Sequence, residues 1–430
     1  METEFAIGLL ALLVAVYSMV SKRLSRWWIS APFAFLVIGS LLGGAGLDLF
    51  GDVTFASELL GTLAEVTLAL VLFAAASTIR VKRLEHDSAL VGRLLAIGLP
   101  LTIGLGTALA LGLFPGISFG LALLIGTTLA PTDADLGHQV ITDTSVPARI
   151  RRVLNVESGL NDGVAAPVVT IAIALALGDL GDMHPLLDAV AELLVAGVVG
   201  VVIGGVGRWA LIRAVLFETA SPASRQLATL ALALAAYFVT DGLGASGFIA
   251  AFAAGLAFGL GLKERVESAV HFTEALSTLL TILVWLVFGL IVIGEHVLGL
   301  DDPIVIVYAI LSLTLVRMVP VAIALVGTGL DRATVAFMGW FGPRGLASVV
   351  FVLLGLEALE ANGVPSDPLG PIVGWTVALS VVLHGFSATP LAARMGNYAA
   401  RLPADAPEHL GEEEPRRSAW KLHGHRPTRT

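Results

Sequence analysis

Seven ionisable residues, Glu65, Asp133, Asp135, Glu157, Asp162, Arg317 and Arg344, lie in stretches that are otherwise almost wholly apolar. Near a bilayer centre each would cost about 3 kcal/mol even on insertion-based scales, so each requires a charged partner or a role in an ion or proton path. Four polar side chains crowd into the stretch ESGLNDG, residues 157 to 163. On a helix with Ser158 at zero, Asp162 falls at about +40°, Asn161 at about −60° and Glu157 at about −100°. This polar arc must face protein or water rather than lipid, and Gly159 and Gly163 allow another backbone to come close.

A second cluster is LAPTDADLG, residues 129 to 137. Pro131 removes a helical hydrogen bond and clashes with the preceding turn, so the helix should break where Thr132, Asp133 and Asp135 follow. The same breakage is expected at FGPRGLAS, where Gly342, Pro343 and Gly345 surround Arg344. Opposed half-helices present unpaired N–H ends and unpaired carbonyl ends, which Asp133 and Arg344 respectively would neutralise as scaffold.

The elements that must position these residues follow from composition. The chain has 430 residues, 56% hydrophobic and 14% charged, where a soluble domain carries roughly a quarter charged. It reads as an integral, all-α polytopic membrane protein. Apolar runs of the length needed to cross about 30 Å of hydrocarbon occur near 4–21, 31–47, 57–78, 92–113, 118–136, 155–177, 189–208, 226–241, 246–262, 273–294, 303–327, 333–356 and 370–391. The first run is followed by Lys22, Arg23 and Arg26, the reverse of a cleavable signal, so it is kept as a span. With thirteen spans, every even-numbered loop is free of Lys and Arg. Of 25 such residues 23 fall on one side, and the other two are Arg317 and Arg344. The positive-inside rule then places the N-terminus outside and the C-terminus in the cytoplasm.

Spans five and twelve, the two broken ones, are each the fifth member of a six-span half if spans 1–6 and 8–13 are repeats, and span seven as linker makes the halves inverted. Broken helices at matching positions of inverted halves point to a midplane ion site in a secondary transporter. The transmembrane domain is taken as residues 1–396, and 397–430 as a short, polar, disordered cytoplasmic tail. Gly200 and Gly204, at small-xxx-small spacing, could form either a dimer seam or an internal contact.

In order, APTDAD, VESGLNDG, LVRMVPV with Arg317 and GPRGLASVVF with Arg344 resemble the monovalent cation:proton antiporters of the NhaP and sodium/proton exchanger type. The resemblance spans residues 4 to 391. It implies the NhaA/NhaP-like antiporter fold, with two crossing broken helices, in a homodimer of the cell membrane, serving pH homeostasis. Asp162 resembles the carboxylate that binds either the alkali cation or a proton. Thr132, through its backbone carbonyl, Asp133, Ser158 and Asn161 resemble the groups that complete the site, with Na⁺ held by Asp162, Thr132 and Ser158. Glu157 resembles the glutamate that pairs with Arg317. Asn161 stands where electrogenic relatives have a second aspartate, which implies one proton per cation. Hard oxygen ligands suit Na⁺ or Li⁺.

Two departures bear on selectivity. Family members often carry an acid in the third span, where this chain has Ala74, Ala75 and Ala76; Glu65 lies about two and a half turns earlier. Asp135 stands where small residues are usual. Glu65 and Asp135 are therefore read as possible cavity residues. K⁺/H⁺ exchange is the alternative cargo, and a cation channel the more distant one. An enzyme is not expected: H-E-x-x-H, a Walker loop and cysteine are all missing. No cofactor beyond the transported ions and no nucleic-acid partner is expected. His138 and His384 are read as ordinary polar contacts.

Overall fold

The computed structural model describes residues 3–26, 29–43, 57–78, 87–133, 136–178, 185–260, 268–297, 302–403 and 405–410. All regular structure among them is helical: α1 (Thr3–Arg26), α2 (Ala31–Leu42), α3 (Ser57–Thr78), α4 (Ser88–Leu113, with a π-turn at Leu94–Gly98), α5 (Phe119–Thr128), α6 (His138–Thr142) and α7 (Ala148–Leu177). There follow α8 (Pro185–Leu216), α9 (Pro222–Asp241), α10 (Gly247–Gly259), α11 (His271–Phe288, continued by π-helical Gly289–Val297), α12 (Pro303–Leu313), α13 (Leu315–Ala324), α14 (Arg332–Trp340), α15 (Leu346–Ala361) and α16 (Leu369–Ala399).

Among the described residues, seven helical runs are long and apolar enough to cross a membrane, and α2, α5 and α10 are shorter apolar helices. Several starts are written locally. Ser30, Ser118, Ser221, Asp302 and Asp331 each accept an amide of the first turn, and proline enters that turn in α2, α9 and α12. The helix ends overrun the hydropathy runs: α7 begins at Ala148, not 155, and α8 and α16 extend to Leu216 and Ala399.

Both expected breaks are present. Helix α5 stops at Thr128, and residues 130–133 are unwound before α6; α14 stops at Trp340, and residues 341–345 are unwound before α15. Along α7 one apolar core takes Ile150, Val153 and Leu154, and a larger one takes Ala165, Ala166, Val169 and Ala172. The polar residues 157–162 lie between these two cores, so the fold sandwiches a polar layer between apolar ones.

Glycines set the tightest crossings. A Cβ on Gly39 would lie 3.0 Å from the Cα of Gly289, bringing α2 and the π-helical end of α11 into backbone contact. Gly200 and Gly204 face the backbone of Ala250 and Ala254 in α10, so this small-residue seam is internal to the chain.

The tail departs from expectation. Residues 397–399 continue α16, and Pro407–His409 form a 3-10 turn packed on the same end of the molecule. Glu408 is 2% exposed and accepts hydrogen bonds from the Asp331 amide at 2.8 Å and the Thr334 hydroxyl at 2.9 Å. Arg149 donates to the Pro407 carbonyl at 2.6 Å and, with Arg152, pairs with Asp87. This polar segment is ordered by specific partners that hydropathy does not count. Residues 411–430 lie outside the described residues.

Candidate cation site at the crossing of two broken helices

The two unwound segments touch directly: the Asp133 amide donates to the Pro343 carbonyl at 2.8 Å. Two interrupted helices thus exchange a backbone hydrogen bond that neither can make internally. Asp133 completes the joint. Its Oδ2 accepts the Leu346 amide at 2.9 Å, at the start of α15, and its Oδ1 accepts the Leu136 amide at 3.2 Å. A carboxylate placed on a helix N-terminus is stabilised by the unpaired amides and their dipole. Gly345 allows this approach, because a Cβ there would collide with the Asp133 carboxylate.

Helix α7 meets the joint through Thr132, which is 1% exposed. The Asn161 Oδ1 accepts the Thr132 amide at 3.3 Å, and Asn161 Nδ2 donates to Thr132 Oγ1 at 2.8 Å. Thr132 Oγ1 is also hydrogen-bonded to Ser158 Oγ, 2.9 Å away. The Asn161 carboxamide is therefore a two-point clamp on the unwound segment, and its oxygen faces the Thr132 amide. Asp162 lies one turn beyond Ser158 on α7 and is only partly buried, unlike Glu157, Ser158 and Asn161.

Two buried arginines back the crossing. Arg317 forms a two-pronged pair with Glu157, at 2.8 and 2.9 Å, and each partner is 2% exposed. It sits in the first turn of α13, after the helix breaks at Thr314, and the backbone at Gly342 passes directly against its guanidinium. Arg344 is fully buried and donates from Nη1 to the Gly342 carbonyl at 3.0 Å, a carbonyl just past the C-terminus of α14. A cation is favoured at that end of a helix.

The structure brings Thr132, Asp133, Glu157, Ser158, Asn161, Arg317 and Arg344 together and puts Asp162 on the same helix. It does not bring Glu65 to them. Glu65 hydrogen-bonds Tyr237, with Asp241 and Glu357 as its charged neighbours. Glu357 is eleven residues along α15 from Leu346, about 16 Å at helical rise. Asp135 lies outside the described residues. Sequence reading undervalued Ser380 and His384 of α16: Ser380 Oγ accepts the Arg344 amide at 2.7 Å, and His384 Nε2 lies 2.9 Å from the Trp340 carbonyl. Their only sequence signal is helical spacing on one face.

The arrangement offers oxygen ligands, an ionisable carboxylate and unwound backbone in one polar layer. The family model described as sodium/hydrogen exchanger, transmembrane, matches residues 8–394. The K(+)/H(+) antiporter NhaP of Alkalimonas amylolytica is 26% identical over 397 residues, covering 91% of this chain and 66% of the relative. The Na(+)/H(+) antiporter ApNhaP of Aphanothece halophytica is 26% identical over 363 residues, covering 80% of this chain and 67% of the relative. The chain thus spans about two thirds of the length of these curated relatives. The structure of the sodium proton antiporter MjNhaP1 from Methanocaldococcus jannaschii at pH 8 shares the fold, with a TM-score of 0.71 at 22% identity, covering 90% of this chain and 100% of that one. With a family match across nearly its whole length and the same fold, this chain belongs to the transmembrane sodium/hydrogen exchanger family.

Proposed function

We propose that this chain is a secondary transporter exchanging a monovalent cation, Na⁺ or Li⁺, for H⁺ by alternating access, with cation and proton competing for Asp162. The observation that carries the reading is the crossing: two unwound segments joined by the Asp133–Pro343 hydrogen bond and fastened through Thr132 to Ser158 and Asn161, on the helix that bears Asp162. Unwound backbone at Thr132 offers a carbonyl, Ser158 a hydroxyl and Asp162 a carboxylate, the hard oxygen donors an alkali cation takes. A carboxylate that holds the cation cannot hold a proton at the same time, so occupancy by one displaces the other. Asn161 adds no second charge. One carboxylate therefore moves with one cation or one proton, and the cycle carries no net charge.

The reading includes thirteen spans, with spans 1–6 and 8–13 as inverted repeats, in a homodimer of the cell membrane with the N-terminus outside. The one-sided distribution of 23 of 25 Lys and Arg residues supports that orientation. Asp133 and Arg344 act chiefly as counter-charges to the half-helix ends, and Glu157 and Arg317 as a fixed ion pair. A second reading, K⁺ for H⁺, is favoured by one observation: Ala74 and Ala76 are buried where an acid would have added a ligand for a small cation.

Reconstitution in liposomes with an interior pH dye tests both. Na⁺, Li⁺ and K⁺ are added in turn at zero clamped voltage. Cation-driven proton movement that disappears in Asp162→Asn supports the reading, and the most effective ion names the cargo. Equal flux in the variant removes Asp162 from the mechanism.

A further inference from the structure

Ser380, His384 and Ser387 occur at i, i+4 and i+7 of α16 and so share one face of that helix. That face is fastened to the break after α14. The Trp340 indole N–H donates to Ser387 Oγ at 2.9 Å, and its ring stacks on the His384 imidazole with centroids 5.1 Å apart. The Trp340 carbonyl lies 2.9 Å from His384 Nε2. The Arg344 amide donates to Ser380 Oγ at 2.7 Å, and Ser380 Oγ lies 3.2 Å from His384 Nδ1. Nδ1 is also 2.9 Å from the Ser380 carbonyl, whose position inside α16 already gives it the helical amide of His384 as partner.

Residues 340 and 344 are four apart. In an unbroken α-helix the Arg344 amide would donate to the Trp340 carbonyl, so these two groups are the donor and acceptor of one bond lost in the unwinding. Ser380 and His384 stand between them. A continuous relay is made when the protons run from Arg344 N–H to Ser380 Oγ, from Ser380 Oγ–H to His384 Nδ1, and from His384 Nε2–H to Trp340 O; a proton on Nδ1 would instead be donated to the Ser380 carbonyl. Such a relay requires a neutral imidazole with its proton on Nε2. Ser380 is fully buried and His384 is 1% exposed, so bulk water does not reach the relay. The Trp340 carbonyl, which also accepts the Gly342 amide at 2.8 Å, has a second lone pair for it.

We propose that His384 and Ser380 are positioning residues for the exchange reaction. They form a side-chain relay that replaces a lost helical hydrogen bond and fixes the span of the unwound segment. That segment carries the Pro343 carbonyl and leads to the Leu346 amide, the two groups that hold Asp133, so the relay acts on the site through them. The inference rests on the antiport reading for its link to transport, and on hydrogen bonding alone for its geometry.

The test compares His384→Leu, His384→Gln and Ser380→Ala in liposomes, reading the cation concentration for half-maximal exchange separately from the maximal rate. Hydrogen–deuterium exchange of residues 341–348 is followed on the same purified proteins. His384→Leu is expected to raise the half-maximal concentration about ten-fold, the lower end for loss of an outer-shell partner, and to speed deuteration of that segment. Glutamine offers an acceptor and a donor in one side chain and is expected to restore both readouts. Ser380→Ala combined with His384→Leu is expected to be no worse than His384→Leu alone, because one relay is broken only once. Unchanged concentration dependence in His384→Leu, or a glutamine variant no better than leucine, would overturn the proposal. If His384→Leu does not fold, Ser380→Ala, which removes only a hydroxyl, decides it by the same readouts. A wild-type protein without cation-driven proton movement would sink the antiport reading and the transport role with it, while deuteration would still decide the relay.

Discussion

At the scale of single residues, the buried Glu157–Arg317 pair and the bare Cα of Gly345 are the strictest features of the site. Two charges each 2% exposed are tolerable only together. Arg317→Leu should cost about 3–5 kcal/mol by stranding the Glu157 carboxylate. In thermal unfolding, the double variant Glu157→Leu/Arg317→Leu is expected to recover much of that loss; a double variant as unstable as the single would contradict the pairing. Gly345→Ala places a methyl group on the Asp133 carboxylate, so it should both lower the melting temperature and abolish cation-driven exchange. Wild-type exchange in Gly345→Ala would mean that Asp133 does not need its present position. The buried charges were conspicuous in the sequence because each is anomalous among apolar neighbours. That Asn161 spends its carboxamide on Thr132 was not legible, since its partner lies 29 residues away and on another element.

At the scale of elements, the breaks in the two interrupted helices set everything else. Pro131 and the Gly342-Pro343-Arg344-Gly345 run announce them, because proline and glycine act on the local backbone whatever the tertiary context. The Ser380–His384 relay was invisible for the opposite reason: its meaning exists only where α16 packs on α14. Helix ends were misjudged because hydropathy marks the portion suited to hydrocarbon, while helices such as α7 and α16 continue into polar surroundings. The same blindness hid the folded segment around Glu408. Glu408→Ala leaves the Asp331 amide and Thr334 hydroxyl without their acceptor, a loss of about 1–3 kcal/mol that would appear as faster deuteration at the start of α14. Asp331 itself is held below the usual carboxylate range by the Tyr398 hydroxyl and then by the Ala333 amide. A lowered folded-state pKa gives stability that is present above the unfolded value and is lost as pH falls through the folded one. Wild type and Asp331→Asn should therefore differ in melting temperature near neutral pH and converge in strong acid; a difference that persists in strong acid would contradict this.

At the scale of the whole molecule, the proposed orientation and site rest on two features, the one-sided distribution of Lys and Arg in the sequence and the polar layer between two apolar cores. The chain contains no cysteine, so single cysteines report topology without background. A cysteine at exposed position 367 is expected to react with an impermeant maleimide in intact cells, and one at exposed position 401 only after permeabilisation. The reverse pattern would invert the orientation. The central claim, competition of cation and proton for one carboxylate, is tested most directly by adding Na⁺, Li⁺ or K⁺ to purified protein in weakly buffered solution and recording the protons released. One proton should be released for each cation bound at a pH low enough that Asp162 is protonated before the cation is added, fewer as the pH rises, and none from Asp162→Asn. Cation binding without proton release, or release undiminished in Asp162→Asn, would contradict it.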